Sequence, residues 1–301
     1  MTTSRTDLFG WPRLGWRCLS RSAFTAAATL LLAGCKASFF ATLNAGTPPV
    51  ESVVYLPEHQ LALDVYQPAA QPTATPVVVF VYGGRWQSGQ RSEYAFVGER
   101  LAEAGVLTMV IDYRLWPQVR FPTFVDDTVR AIAWARTHAE QYGGDPKRIF
   151  LVGHSAGAHI AALIGTDARH LEAIKWRPRD LAGVVGIAGP YDFLPLEDDD
   201  LRDMFGPEAL WPDSQPVNFV DGDEPPFLLL HGTTDLLVWL RNSERLQARF
   251  EAVGNPIELR RYPGVGHIRI LSGFRYAWLA DTAEDVLDFV SKNPATSATT
   301  P

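Results

Sequence analysis

The apolar positions of this chain change rhythm along its length. Leu61, Leu63 and Val65 alternate with Ala62 and Asp64, the two-residue period of a strand with one buried face. Residues 53–55 form a matching run before Pro57-Glu58-His59, so the two read as an opening antiparallel pair. The runs that follow do not alternate. Residues 77–81, 106–111, 149–152, 184–188 and 227–230 are short, unbroken and apolar. Such strands belong in a parallel sheet covered on both faces, and 257–262 reads as the next strand.

Between the strands the period becomes helical. Residues 92–104 open at Ser92 with Glu93 in the first turn and stop at Gly105. Residues 123–142 space Phe124, Thr128, Ala131 and Ala135 along one face and close at Gly143-Gly144. Residues 242–253 and 281–290 are further amphipathic helices. Repeated strand–helix units imply right-handed crossovers, an α/β fold with a mostly parallel sheet flanked by helices, and ligands at the strand C-terminal ends. The stretch 191–226 holds Phe193, Leu196, Leu201, Met204, Phe205, Leu210, Trp211 and Phe219 among many acids. Lying between two strands, it is expected to form a small cap over the site.

One strand end carries chemistry. Residues 149–152 run straight into Gly153-His154-Ser155-Ala156-Gly157, and an Ala-rich helical stretch follows. A serine on a sharp strand-to-helix turn lifts its hydroxyl above the sheet, and side chains two residues to either side would clash there, hence the glycines. A serine nucleophile needs a general base, and the base an orienting carboxylate. Asp235 follows the run 227–230 through His231-Gly232-Thr233-Thr234, and His267 follows 257–262 on Pro263-Gly264-Val265-Gly266. The order Ser155, Asp235, His267 is the expected triad. Asp192, one strand earlier, is the runner-up acid; His154, His159 and His231 are weaker candidates for the base. An oxyanion hole needs two backbone N–H donors. Ala156, at the N-terminus of its helix, is one candidate, and the loop Tyr82-Gly83-Gly84-Arg85-Trp86 after 77–81 supplies the other.

The N-terminal region reads as an export signal. Arg5, Arg13, Arg17 and Arg21 precede a short apolar run over 23–33, which ends in Ala33-Gly34-Cys35. That run is too short for a bilayer crossing of roughly 20 residues. Leu32-Ala33-Gly34-Cys35 resembles the bacterial lipobox, in which the cysteine receives diacylglycerol. The expected organisation is a lipoprotein-type signal over 1–34, a lipidated Cys35 and tether over 35–50, a catalytic domain over 51–292, and a disordered tail over 293–301. The expected address is a bacterial membrane, the outer one if there are two, because Lys36 rather than Asp follows the cysteine. The formal net charge of −7 and the lack of a Lys/Arg block exclude a nucleic-acid footprint. The chain's two cysteines, Cys18 and Cys35, precede the catalytic domain, which therefore holds no disulfide, thiolate nucleophile or cysteine zinc site.

With these residues placed, the chain resembles the esterase/lipase branch of the α/β-hydrolases whose oxyanion loop reads His-Gly-Gly-Gly-Trp. It looks closest to feruloyl-esterase-like carboxylesterases and the kynurenine formamidase relatives. The likeness covers 51–292 and is densest in 82–88, Asp112-Tyr113-Arg114, Gly143-Gly144-Asp145-Pro146 and 153–162. The resemblance implies that Ser155, Asp235 and His267 form the triad. It also implies that Gly83, Gly84 and Arg85 form the oxyanion loop, with amide donors at Gly84 and Arg85. Two positions depart from the pattern. Tyr82 replaces the first His and is expected to support the loop by hydrogen bonding. Arg85 stands where Gly or an aromatic is common, and its side chain is expected to crowd or charge the acyl pocket. The implied activity is hydrolysis of short or small carboxylic esters without cofactor or metal. Formamide hydrolysis is an alternative, as is an inactive binding lipoprotein on the same fold.

Overall fold

A computed structural model describes residues 38–47, 51–70 and 74–293. The signal segment, both cysteines, the lipobox and the tail 294–301 lie outside the described residues.

Eight strands form one sheet in the order β1-β2-β4-β3-β5-β6-β7-β8. They are β1 (Glu51–Leu56), β2 (Leu61–Tyr66), β3 (Thr75–Val81), β4 (Leu107–Ile111), β5 (Gly144–His154), β6 (Gly183–Ile187), β7 (Phe227–Gly232) and β8 (Ile257–Tyr262). β1 pairs antiparallel with β2, and β2 with β4; every pair from β4 through β8 is parallel. The unbroken runs are buried as their pattern requires. Val77 through Val81, Ile149 through Val152 and Phe227 through Leu230 are all essentially inaccessible, and each such side chain contributes roughly 1.5–3 kcal/mol by leaving water.

The helices after the first strand are α1 (Ala95–Glu103), α2 (Thr123–His138), α3 (Ala156–Thr166), α4 (Asp199–Phe205), α5 (Arg241–Val253) and α6 (Thr282–Lys292). Two depart from the expected bounds. Arg91–Tyr94 is a 3-10 turn leading into α1, and α2 ends at His138, with Ala139–Tyr142 tightening into a 3-10 turn before Gly143 at φ 81°. Strand β5 begins at Gly144, earlier than the apolar run alone indicates, because its polar start pairs with Thr75 of β3.

The expected tether is partly structured. Asn44 donates to the Ser92 and Glu93 carbonyls and accepts from the Phe96 amide, and Thr47 donates to Glu99. Small and polar residues read as a linker until their partners, some fifty residues on, are known.

The stretch between β6 and β7 carries α4 and two 3-10 turns, Glu208–Ser214 and Pro216–Asn218. Its members Phe193, Phe205 and Ser214 face the body: Phe193 and Phe205 pack on Trp86, and the Ser214 carbonyl meets His159. The stretch 191–226, expected to form a small cap, thus packs on Trp86 and His159.

Candidate active site

The strand register brings the chemistry together. Val81 of β3 lies opposite Gly153 of β5, so the loop 82–86 and the turn 154–156 leave adjacent strand ends side by side. Gly232 of β7 lies opposite Tyr262 of β8, which sets Asp235 and His267 on neighbouring loops. The chain order reverses between β3 and β5, the crevice where open parallel sheets take ligands.

Ser155 caps α3 at φ 54°, ψ −118°. A non-glycine residue held there stores about 1–3 kcal/mol, sustained by the surrounding structure. Its amide donates to the Ile187 carbonyl at 2.8 Å, locking the turn onto β6. The flanking glycines are required by contact. A Cβ on Gly153 would lie 2.2 Å from the Gly157 carbonyl oxygen, and one on Gly157 would lie 2.1 Å from that of Val81.

The three candidate triad members meet. Ser155 Oγ donates to His267 Nε2 at 2.8 Å, and His267 Nδ1 donates to Asp235 Oδ2 at 2.7 Å. Asp235 and His267 are buried, and Ser155 is partly open. Burial on its own would raise the Asp235 carboxyl. The hydrogen bonds from His231 and His267, the His267 charge and the Val238 amide outweigh it and hold that carboxyl well below the usual range. The other oxygen, Oδ1, accepts from the Leu237 and Val238 amides, both at 2.9 Å. Asp192 lies elsewhere, with its carboxylate paired to Arg245 at 2.8 Å.

Two histidines set aside as bases have supporting places that sequence reasoning missed. His231 is wholly buried below the acid; its Nε2 donates to the Val238 carbonyl at 2.8 Å, 3.4 Å from Asp235 Oδ2, and its Nδ1 meets Ser243 Oγ at 2.7 Å. His154 Nε2 donates to the His267 carbonyl at 3.1 Å, bracing the base from below. Desolvation, with the charge of His267, pushes the His154 pKa down to about 3, so the ring stays neutral. The signal for both was their position beside the expected triad, but their partners come from other loops.

In the loop expected to form the oxyanion hole, Gly83 is pressed against the serine turn: a Cβ there would meet His154 Nδ1 at 2.8 Å and Ser155 Cβ at 2.9 Å. Among the described residues, the amides of Gly84, Arg85 and Ala156 meet no acceptor. Tyr82 supports the loop through its ring, stacked on Tyr113 at 4.6 Å, and through its carbonyl, which accepts from the Tyr113 hydroxyl at 2.9 Å. The Arg85 side chain, expected to crowd or charge the acyl pocket, is engaged by two carboxylates. Its guanidinium is taken up by Asp198 and Asp200 of the cap, at 2.5 and 3.0 Å. Next to it, buried Trp86 packs against His159, Phe193 and Phe205 with ring centroids 5.0–5.8 Å apart. No group of three or more metal-ligating side chains occurs among the described residues, and no helix there is long and apolar enough to cross a membrane.

A mostly parallel eight-stranded sheet with a strained serine at the β5–α3 corner, and an acid and a histidine on the loops after β7 and β8, defines an α/β-hydrolase. A family model described as BD-FAE matches residues 63–250, more than half of the chain, and the chain belongs to that family. Its relatives are esterases. A probable isoprenylcysteine alpha-carbonyl methylesterase of Oryza sativa subsp. japonica is 35% identical over 238 residues, spanning 72% of this chain and 56% of that protein. Esterase LipC of Mycobacterium tuberculosis is 32% identical over 244 residues, spanning 74% and 60%. The chain thus spans little more than half the length of the curated relatives it matches. Among solved structures, the apo form of Thermogutta terrifontis esterase 2 has a TM-score of 0.70 at 26% identity, covering 84% of this chain and 98% of that one. The same esterase has been solved with butyrate bound and phosphonylated by sarin.

Proposed function

We propose that this protein is a carboxylic-ester hydrolase that forms an acyl-enzyme on Ser155. The observation that carries the reading is the unbroken line from Ser155 Oγ through His267 to Asp235, with links of 2.8 and 2.7 Å. His267 Nε2 takes the serine proton as Oγ bonds to the ester carbonyl carbon. The amides of Gly84, Arg85 and Ala156 receive the developing oxyanion, helped by the N-terminal end of α3. His267 then protonates the departing alcohol oxygen as the C–O bond breaks. A water, deprotonated by the same nitrogen, releases the acid and returns the proton to Ser155. Asp235, kept ionised, holds the His267 tautomer and stabilises its cation.

A short acyl group fits best. Trp86 follows the oxyanion loop, and Phe193 and Phe205 of the cap close on it, so bulky rings gather at the end of that loop. The butyrate complex of the Thermogutta esterase supports the same size class. The test is a panel of p-nitrophenyl esters from two to sixteen acyl carbons, with N-formylkynurenine added for the formamide alternative. Butyryl should outrun palmitoyl by at least about tenfold, a difference near 1.4 kcal/mol in transition-state stabilisation. Faster palmitoyl hydrolysis overturns the size assignment, and preference for the formamide overturns the ester assignment.

The reading includes export and anchoring through Cys35, supported by the basic segment, apolar run and lipobox-like residues 32–35. Two or more acyl chains hold stably in a membrane. Intact mass from a bacterial host should show a chain that begins at a diacylglyceryl Cys35; an unmodified Cys35 ends this part.

A further inference from the structure

We propose that Asp198 and Asp200 are positioning residues for the oxyanion loop, holding from the cap the backbone whose amides meet the substrate oxygen. The proposal rests on the ester-hydrolase reading above. The loop takes an unusual path. Gly84, Arg85 and Trp86 have φ values of 141°, 57° and 57° in succession. Two consecutive non-glycine residues in the left-handed region cost roughly 1–2 kcal/mol each and persist only where other contacts fix them.

Those contacts are unequal around the loop. The Gly84 carbonyl is held by the Gln87 and Ser88 amides, at 3.1 and 3.0 Å. Trp86 is held by packing and by the Trp116 amide, which donates to its carbonyl at 2.9 Å. Arg85 stands between them with a half-exposed side chain, and its ion pairs go to the cap, where Asp198 and Asp200 receive one guanidinium nitrogen. Gln87 Nε2 donates to the second oxygen of Asp200 at 2.5 Å. Three polar contacts therefore join the oxyanion loop to the start of α4, a segment 113 residues further along the chain. Asp199, in the middle of the same acidic run, points away: its carboxylate is 99% exposed and lies 3.4 Å from Arg202.

The magnitudes separate a positioning role from a structural one. Ion pairs this exposed stabilise a fold by about 0–1 kcal/mol. Loss of one well-placed oxyanion donor costs on the order of 10²–10³ in kcat, and a misplacement of about 1 Å can cost a hundredfold. Removing the latch should therefore change turnover far more than stability.

The experiment compares wild type, Ser155→Ala, Asp199→Asn and the double variant Asp198→Asn/Asp200→Asn on p-nitrophenyl butyrate, with thermal unfolding measured in parallel. The double variant should lose about tenfold or more in kcat, with KM within about threefold and Tm within about 2 °C of wild type. Asp199→Asn should match wild type throughout. Raising ionic strength should lower wild-type kcat toward the double variant, whose own kcat should stay flat, because screening acts on the exposed pair. A double variant within twofold of wild-type kcat overturns the proposal. So does a loss of activity that tracks a fall in Tm, or an equal loss in Asp199→Asn. If wild type hydrolyses no ester, or hydrolysis survives Ser155→Ala, the hydrolase reading itself fails and the proposal falls with it.

Discussion

Acid should weaken this fold at pH values where most of its carboxylates are still charged. His154 beside the serine and His159 one turn into α3 are fully buried. Desolvation drives their pKa values from 6.5 down to about 3 and about 4. Unfolded, both rings take up a proton near the ordinary histidine value of about 6.5. Between that value and the folded pKa the unfolded state binds more protons, so stability rises with pH and is lost as pH falls. From pH 7 to pH 5 each ring accounts for about 2 kcal/mol, and the two for about 4 kcal/mol. His170, also lowered chiefly by burial, adds in the same direction; Asp126, raised by burial and by Asp127, opposes it. Asp235 has its carboxyl held low, so its contribution is lost only below the usual carboxylate range, outside this window. At about 2–4 °C per kcal/mol for a domain of this size, the unfolding midpoint should drop by roughly 8–16 °C between pH 7 and pH 5. Circular dichroism melts at constant ionic strength measure this directly. His159→Gln keeps a donor toward the Ser214 carbonyl but cannot titrate, and should show about half the wild-type pH dependence. A midpoint that moves less than about 2 °C, or a slope unchanged in His159→Gln, refutes the reasoning.

Other substitutions separate packing from chemistry. Gly157→Ala puts a Cβ 2.1 Å from the Val81 carbonyl oxygen and 2.6 Å from that of Tyr82. Both are backbone atoms leading into the oxyanion loop, so calorimetry should show a loss of about 1–3 kcal/mol together with reduced kcat. Gly105→Ala, at φ 88° with open space around it, should cost only about 1 kcal/mol and leave activity intact. Steady-state kinetics should show Asp235→Asn lowering kcat by about 10³–10⁴, because His267 loses the partner that sets its tautomer. Asp192→Asn, which removes only a surface pair with Arg245, should stay within about twofold of wild type.

What was legible before the structure is what local rules control. The serine turn was readable from its strand–turn–helix setting and from Gly153, which answers to the Gly157 carbonyl four residues on, whereas Gly157 answers to Val81 of the neighbouring strand. The apolar runs of β3 to β7 were readable because full burial leaves no room for a polar face, and the order Ser155, Asp235, His267 followed from the turns and loops after β5, β7 and β8. Contacts made across long separations were not legible. Nothing near Arg85 announces that its guanidinium belongs to Asp198 and Asp200, so its charge was assigned to the acyl side. His154 and His231 read as spare bases; one supports His267 and the other the loop of Asp235, through carbonyls of residues 267 and 238. Asn44 read as linker for the same reason, its partners being Ser92, Glu93 and Phe96.

Whether Ser155 is the acylated nucleophile is decided by covalent labelling. The folded protein is treated with a fluorophosphonate, its intact mass is taken, and the labelled peptide is sequenced by mass spectrometry alongside the Ser155→Ala variant. A single adduct on Ser155 is expected, with loss of ester hydrolysis in step with labelling and no adduct on Ser155→Ala. Ester hydrolysis that persists in fully labelled protein, or an adduct on another residue that accounts for the lost activity, would contradict it.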